Sequence, residues 1–150
     1  MSGEGSPDFK LDASALKVAV VYASWHQQII DGLIAGTKRA LGETGCEKFE
    51  FHSVPGAFEL PLAASKLVGE NDAVIALGVV IRGDTPHFDY VCNAATDGLV
   101  RVMLDSQTPI GFGLLTVENE QQALERAQDD GDNKGVESTY AALKMALDFK

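Results

Sequence analysis

Residues 73–91 read AVIALGVVIRGDTPHFDYV. The stretch from Ala73 to Ile81 is apolar without a break and rich in β-branched side chains. That is the pattern of a strand covered on both faces, and it is far too short to span a bilayer. A cation, a glycine, a carboxylate, a hydroxyl, a proline and an imidazole then follow in order from Arg82 to His87, and a helical stretch runs from Pro86 to about Asp105. A buried strand feeding into a helix is half of a βαβ unit, and such units build parallel sheets through right-handed crossovers.

The same alternation extends in both directions. KVAVVYA (17–23) is a β-branched strand, and from His26 to Gly45 the residues Ile29, Ile30, Leu33, Ile34 and Leu41 recur at helical spacing, with Gly45 as the stop. KFEFHSV (48–54) alternates as a second strand, and VPGAFELPLAASKLVG (54–69) turns into a helix with Pro61 in its first turn. PIGFGLLTV (109–117) is the fourth strand, and helical stretches at about 119–128 and 135–149 close the chain, split by DDGDNKG (129–135). Strand and helix thus alternate four times, with one helix added. The expected fold is a doubly wound, flavodoxin-like three-layer α/β/α sandwich around a four-stranded parallel sheet. Residues 1–14, MSGEGSPDFKLDAS, read as a flexible arm, leaving 15–150 as a single domain.

Composition narrows the function. The 150 residues are 45% hydrophobic and 23% charged, with a formal net charge of −10, which argues against a nucleic-acid partner. A small anionic substrate remains compatible, because a few local cations can hold a phosphate on an acidic protein. Cys46 and Cys92 form no CxxC pair, so reduced thiols are expected, and the N-terminal residues carry no apolar core of a secretory signal. A cytoplasmic protein with no membrane partner is the expectation.

In open α/β sheets, ligands sit beyond the carboxyl ends of the strands. The unusual residues fall there: Ser24-Trp25-His26 after strand one, Val54 to Glu59 after strand two, and RGDTPH (82–87) after strand three. No P-loop occurs, and GFGLLT (111–116) lacks the third glycine of a dinucleotide fingerprint and lies inside a strand. RGD (82–84) is read as a chance tripeptide, and His26, His52 and His87 have no metal-ligand spacing. Thr85 is a good N-cap and Pro86 a good first helical residue, while Gly83 lets backbone approach a ligand. The alternative is that Thr85-Pro86 merely caps a helix. What favours a site is His87 in the first helical turn, where the helix dipole disfavours imidazolium and keeps the ring able to exchange protons. A bound phosphate would push the other way. Trp25, the one tryptophan, suits either a core or an aromatic wall for a planar heterocycle, and Glu59 is favoured at a helix start with or without function. On their own terms, Arg126 and Lys134 read as solvated surface charges.

VPGAFELP (54–61), ALGVVIRGDTPHFDYV (76–91) and GFGLLTVENEQQALERA (111–127) followed by NKG (133–135), in this order and spacing, closely resemble the 6,7-dimethyl-8-ribityllumazine synthase family. The similarity runs from about Lys17 to the C-terminus. The resemblance implies condensation of 5-amino-6-(D-ribitylamino)uracil with 3,4-dihydroxy-2-butanone 4-phosphate, the penultimate step of riboflavin biosynthesis, with no cofactor and no metal. It implies that Trp25 stacks on the pyrimidine and that Ala57, Phe58 and Glu59 line the ribityl side. Val79, Val80 and Ile81 would present backbone groups to the uracil, and Asp84 and Thr85 would meet the phosphate through backbone N–H groups. His87 would move protons, and Arg126 would clamp the phosphate with Lys134 nearby, reversing the plain reading of both. Asp84 brings negative charge to that end, so its side chain is expected to point away. His26 is given no role.

The resemblance also implies a homo-oligomer of pentameric rings in which Phe112, Arg126 and Lys134 reach the neighbouring subunit's site, Phe112 facing the ring opposite Trp25. It leaves free pentamer, decamer and sixty-subunit shell open, and it admits association with riboflavin synthase. Two rival functions stand beside the enzyme. One is a lumazine or flavin carrier without turnover, which would not need His87 and Arg126. The other is a structural shell protein, which would not need the polar strand ends.

Overall fold

A computed structural model describes residues 10–150. Four parallel strands, β1 (Lys17–Ala23), β2 (Lys48–Val54), β3 (Ala73–Ile81) and β4 (Ile110–Val117), lie in the order β2-β1-β3-β4. The helices are α1 (Gln27–Glu43), α2 (Leu60–Leu67), α3 (His87–Ser106), α4 (Glu120–Glu125) and α5 (Lys134–Asp148), with short 3-10 turns at Ala57–Glu59 and Val68–Glu70. This is the doubly wound, flavodoxin-like α/β/α sandwich read from the alternation.

The pleat sorts the sheet's side chains into two cores. Val18, Val20, Ile75, Leu77 and Leu115 pack with Ile30, Leu33 and Leu41 of α1 and Leu143 of α5. Ala19, Val21, Val74, Ala76 and Leu114 pack with Leu60 and Ala64 of α2 and Ala95 and Leu99 of α3. The central strands β1 and β3 are therefore apolar on both faces, as their unbroken runs require. At the end of α1, Gly45 takes a left-handed φ of 73°, and its N–H donates to Gly42 O while Cys46 N–H donates to Leu41 O. These two bonds form the Schellman stop that Gly45 announces in the sequence.

Apart from shifts of a single residue at β4 and α5, two helices begin or end differently from the sequence reading. The helix expected over 119–128 is shorter, because Arg126 and Ala127 already donate to carbonyls three residues back and the chain turns there. The helix expected to start at Pro86, under a Thr85 cap, starts at His87 with Pro86 in the capping position. Thr85 Oγ1 accepts the His87 N–H at 3.4 Å.

Of the arm expected over residues 1–14, positions 1–9 lie outside the described residues. At its inner end, Ala13 is fully buried and donates its N–H to Thr44 O at 2.7 Å. No helix among the described residues is long and apolar enough to cross a membrane.

Candidate active site

The chain leaves β1 toward β2 and leaves β3 toward β4, so the winding reverses between β1 and β3. Such a switch point opens a crevice at the carboxyl ends of the strands. The pairing shows how. Register between β1 and β3 ends at Tyr22 opposite Leu77, whereas β3 stays paired with β4 through Ile81 opposite Val117. Beyond Tyr22, β1 leans the other way: Ala23 pairs with Val54, and Ser24 N–H donates to Pro55 O. The last turn of β3 thus runs on past its β1 neighbour, beside an opening.

A cavity of about 300 Å³ occupies that opening. Val79, Val80 and Ile81 form one wall, and Trp25 and His26 stand after β1 on another. Gly56, Ala57, Phe58 and Glu59 enter after β2, and His87 and Val91 enter from the first turns of α3. Trp25 and Phe58 are 67% and 64% exposed, an unusual placement for large aromatic rings that the sheet could bury. Glu59 Oε1 accepts the Gly56 N–H at 2.8 Å, which fixes the carboxylate at the cavity through one oxygen. A Cβ at Gly83 would meet nothing within 4 Å, so packing does not require glycine beside this mouth.

The structure therefore brings together Trp25, Ala57, Phe58, Glu59, Val79, Val80, Ile81 and His87. It adds His26 and Gly56, which belong to the strand ends named above but carry no assigned role, and Val91 of α3. His26 holds a left-handed φ of 60° while its carbonyl accepts from Ile29 and Ile30 N–H. For a non-glycine residue that conformation costs roughly 1–3 kcal/mol, and such strain collects at functional sites. Gly56 could have been found from its place three residues before Glu59, and Val91 from its position one helical turn after His87.

The remaining expected residues lie outside the cavity lining. Asp84 and Thr85 sit in the exposed bend before α3. Phe112 lies on edge strand β4, 42% exposed and opposite Ala76. Val79 is three residues further along β3, about 10 Å at strand rise, so the middle of β4 is remote from its own chain's crevice. Arg126 donates to Gln122 O at 2.9 Å at the end of α4, and Lys134 pairs with Glu137 at 3.1 Å at the start of α5.

Arg82, the cation at the start of the polar run, serves the frame. Its guanidinium pairs with Glu118 at 2.7 Å and Asp89 at 3.5 Å, and lies 4.3 Å from the Phe88 ring centroid. It thereby ties the first turn of α3 to the end of β4. Further along α3, burial pushes the Cys92 thiol up, with Asp89 adding in the same direction and Arg82 opposing. That thiol is protonated at neutral pH and is not poised as a nucleophile. Among the described residues, no group of three or more His, Cys, Asp or Glu side chains could hold a metal ion.

A doubly wound sandwich with aromatic walls, one carboxylate and two imidazoles, His26 and His87, at its switch point defines a class of protein that binds a small planar molecule. Comparison with known sequences narrows the class. The chain belongs to the 6,7-dimethyl-8-ribityllumazine synthase family, whose pattern matches residues 15–150. It is 56% identical to the 6,7-dimethyl-8-ribityllumazine synthase of Kineococcus radiotolerans, over 98% of this chain and 93% of that one. The protein of the same name from Kocuria rhizophila is 55% identical over 98% of this chain and 97% of its own, and that from a Nocardioides species 54% over 100% and 96%.

Proposed function

We propose that this chain condenses 5-amino-6-(D-ribitylamino)uracil with 3,4-dihydroxy-2-butanone 4-phosphate to 6,7-dimethyl-8-ribityllumazine, releasing phosphate and water, as a transferase of riboflavin biosynthesis. Family membership supports the reaction. The observation that carries it is the opening between β1 and β3, where an aromatic wall, a carboxylate and an imidazole meet.

The chemistry needs positioning and proton transfer. Trp25 stacks on the pyrimidine. The peptide groups of Val79, Val80 and Ile81, past the end of the β1 ladder, read the amide edge of the uracil. Ala57 and Phe58 line the ribityl chain, and the second oxygen of Glu59 accepts its hydroxyls. The 5-amino group of the uracil attacks the ketone, and water leaves to give an imine. Phosphate is eliminated, the ribityl-bearing nitrogen closes the ring, and a second water departs. His87 at the head of α3 carries protons through these steps. Backbone N–H groups at Asp84 and Thr85, together with Arg126 and Lys134, hold the phosphate.

The assembly is a ring of five copies in which Phe112, Arg126 and Lys134 serve the neighbour's crevice. Their absence from the lining of their own chain's cavity supports this arrangement. The chain acts as a single domain over 15–150, in the cytoplasm, on small molecules and without a cofactor. Purified protein mixed with both substrates and no added metal should form the lumazine chromophore and free phosphate together. Formation no faster than the spontaneous reaction would replace the enzyme with a carrier.

A further inference from the structure

Arg126 and Lys134 stand at the two ends of a segment without regular structure, AQDDGDN (127–133). Such a segment leaves its ends free to wander unless something fixes them. Here the fixing element is the buried Asn133. It is 1% exposed, and its amide is used on both sides. Nδ2 donates to Gly32 O of α1 at 3.0 Å and to Gln128 O at 2.8 Å. Oδ1 accepts from Gly135 N–H at 2.8 Å and Val136 N–H at 3.2 Å, capping α5. One side chain thus binds α1, the residue after Ala127 and the first turn that carries Lys134. The clasp is completed by Lys134 N–H donating to Arg126 O at 2.8 Å.

Helix α1 is shaped to receive it. A Cβ at Gly36 would fall 2.0 Å from Asn133 Oδ1, and one at Gly32 would fall 2.3 Å from Ala127 O. The two glycines lie four residues apart, on one face of α1, and open a slot for the segment. On the exposed side, Arg39 holds the same segment through the Asp129 carboxylate and through Asp130 O at 2.7 Å.

We propose that Asn133 is a positioning residue for phosphate recognition: its buried amide fixes Arg126 and Lys134 at the spacing that one phosphate group requires. The proposal rests on the phosphate roles assigned above to those two cations. Loss of the Nδ2 donors removes the buried hold of α1 on the 127–133 segment, leaving Arg39 at its exposed side, without removing either positive charge.

The test compares Asn133→Ser, Asn133→Ala and Arg126→Ala in the assembled protein, with KM measured separately for each substrate. Serine can still cap α5 but cannot reach Gly32 O and Gln128 O; alanine does neither. Both Asn133 variants should raise KM for the butanone phosphate about tenfold, since small displacements of positioning groups are costly. Their kcat, their KM for the uracil and their affinity for the phosphate-free product should stay near the parent values. Both should lower the melting temperature, alanine the more because it also loses the cap. An increase in both KM values with a fall in kcat, or no change in either KM, would reduce Asn133 to a structural residue. If Arg126→Ala raises the phosphate-substrate KM while Asn133→Ser does not, the positioning role falls and the phosphate reading stands. If Arg126→Ala leaves that KM unchanged, both fall. Should Asn133→Ser fail to assemble, Arg39→Met, which releases the segment at its exposed side, should raise the same KM alone by about two- to threefold, and no change there would overturn the proposal.

Discussion

Combining two impaired variants tests whether each active site is built from two chains. His87 lines the cavity of its own chain, whereas Arg126 and Lys134 stand at α4 and α5 and do not. In a head-to-tail ring, donor and acceptor faces differ, so each subunit gives Arg126 to one neighbour and receives it from the other. His87→Ala and Arg126→Ala proteins, unfolded together and reassembled in equal amounts, should mix at random. A site then draws an intact His87 with a chance of about one half, and an intact Arg126 from the next subunit with the same chance. Roughly one site in four should be whole, and activity per site should rise to about a quarter of the parent value. The assay follows lumazine absorbance at a butanone phosphate concentration below the parent KM, where loss of the arginine is most visible. Separately refolded variants, mixed afterwards without exchange, supply the baseline. If the co-refolded mixture is no more active than that baseline, each site belongs to one chain, and Arg126 acts where its own cavity can reach it.

His87→Ala should lower kcat by about 10²-fold or somewhat less, with small changes in either KM, as expected when a positioned acid–base is removed from a feasible reaction. A rise in KM at constant kcat, seen in steady-state kinetics, would make His87 a binding group. Gly111→Ala should test how tightly α5 sits on β4. Its Cβ would lie 2.5 Å from Ser138 O, so a loss on the order of 1–3 kcal/mol is expected. That is a fall of roughly 3–10 °C in Tm by differential scanning fluorimetry, and an unchanged Tm would show that α5 yields without cost.

The periodic parts of this protein were legible in the sequence because periodicity is local. Unbroken apolar runs at Val18–Ala23 and Ala73–Ile81 mark strands covered on both faces, and Gly45 marks a helix stop that its own backbone angle explains. Once the alternation is granted, Trp25, Glu59 and His87 must gather at one edge, since each follows the carboxyl end of a strand. The motifs from VPGAFELP onward carried the family for the same reason: they are contiguous text.

What the sequence could not decide depends on contacts between distant segments. Arg82 opens the polar run at the ligand end of β3, yet Glu118 and Asp89 claim its guanidinium, and only folding brings Glu118 within 2.7 Å. Asn133 reads as a polar residue in an acidic loop. Its burial against Gly32 and Gln128 appears only when α1 packs on the segment before α5. The opening beside Val79 to Ile81 is set by strand register. Tyr22 is the last β1 residue paired with β3, after which β1 turns toward β2. No local propensity encodes where two ladders part, because that point is fixed by hydrogen bonds among three strands at once. The sequence therefore determined which groups reach the carboxyl edge, and the tertiary structure decided which of them surround a space a substrate can enter.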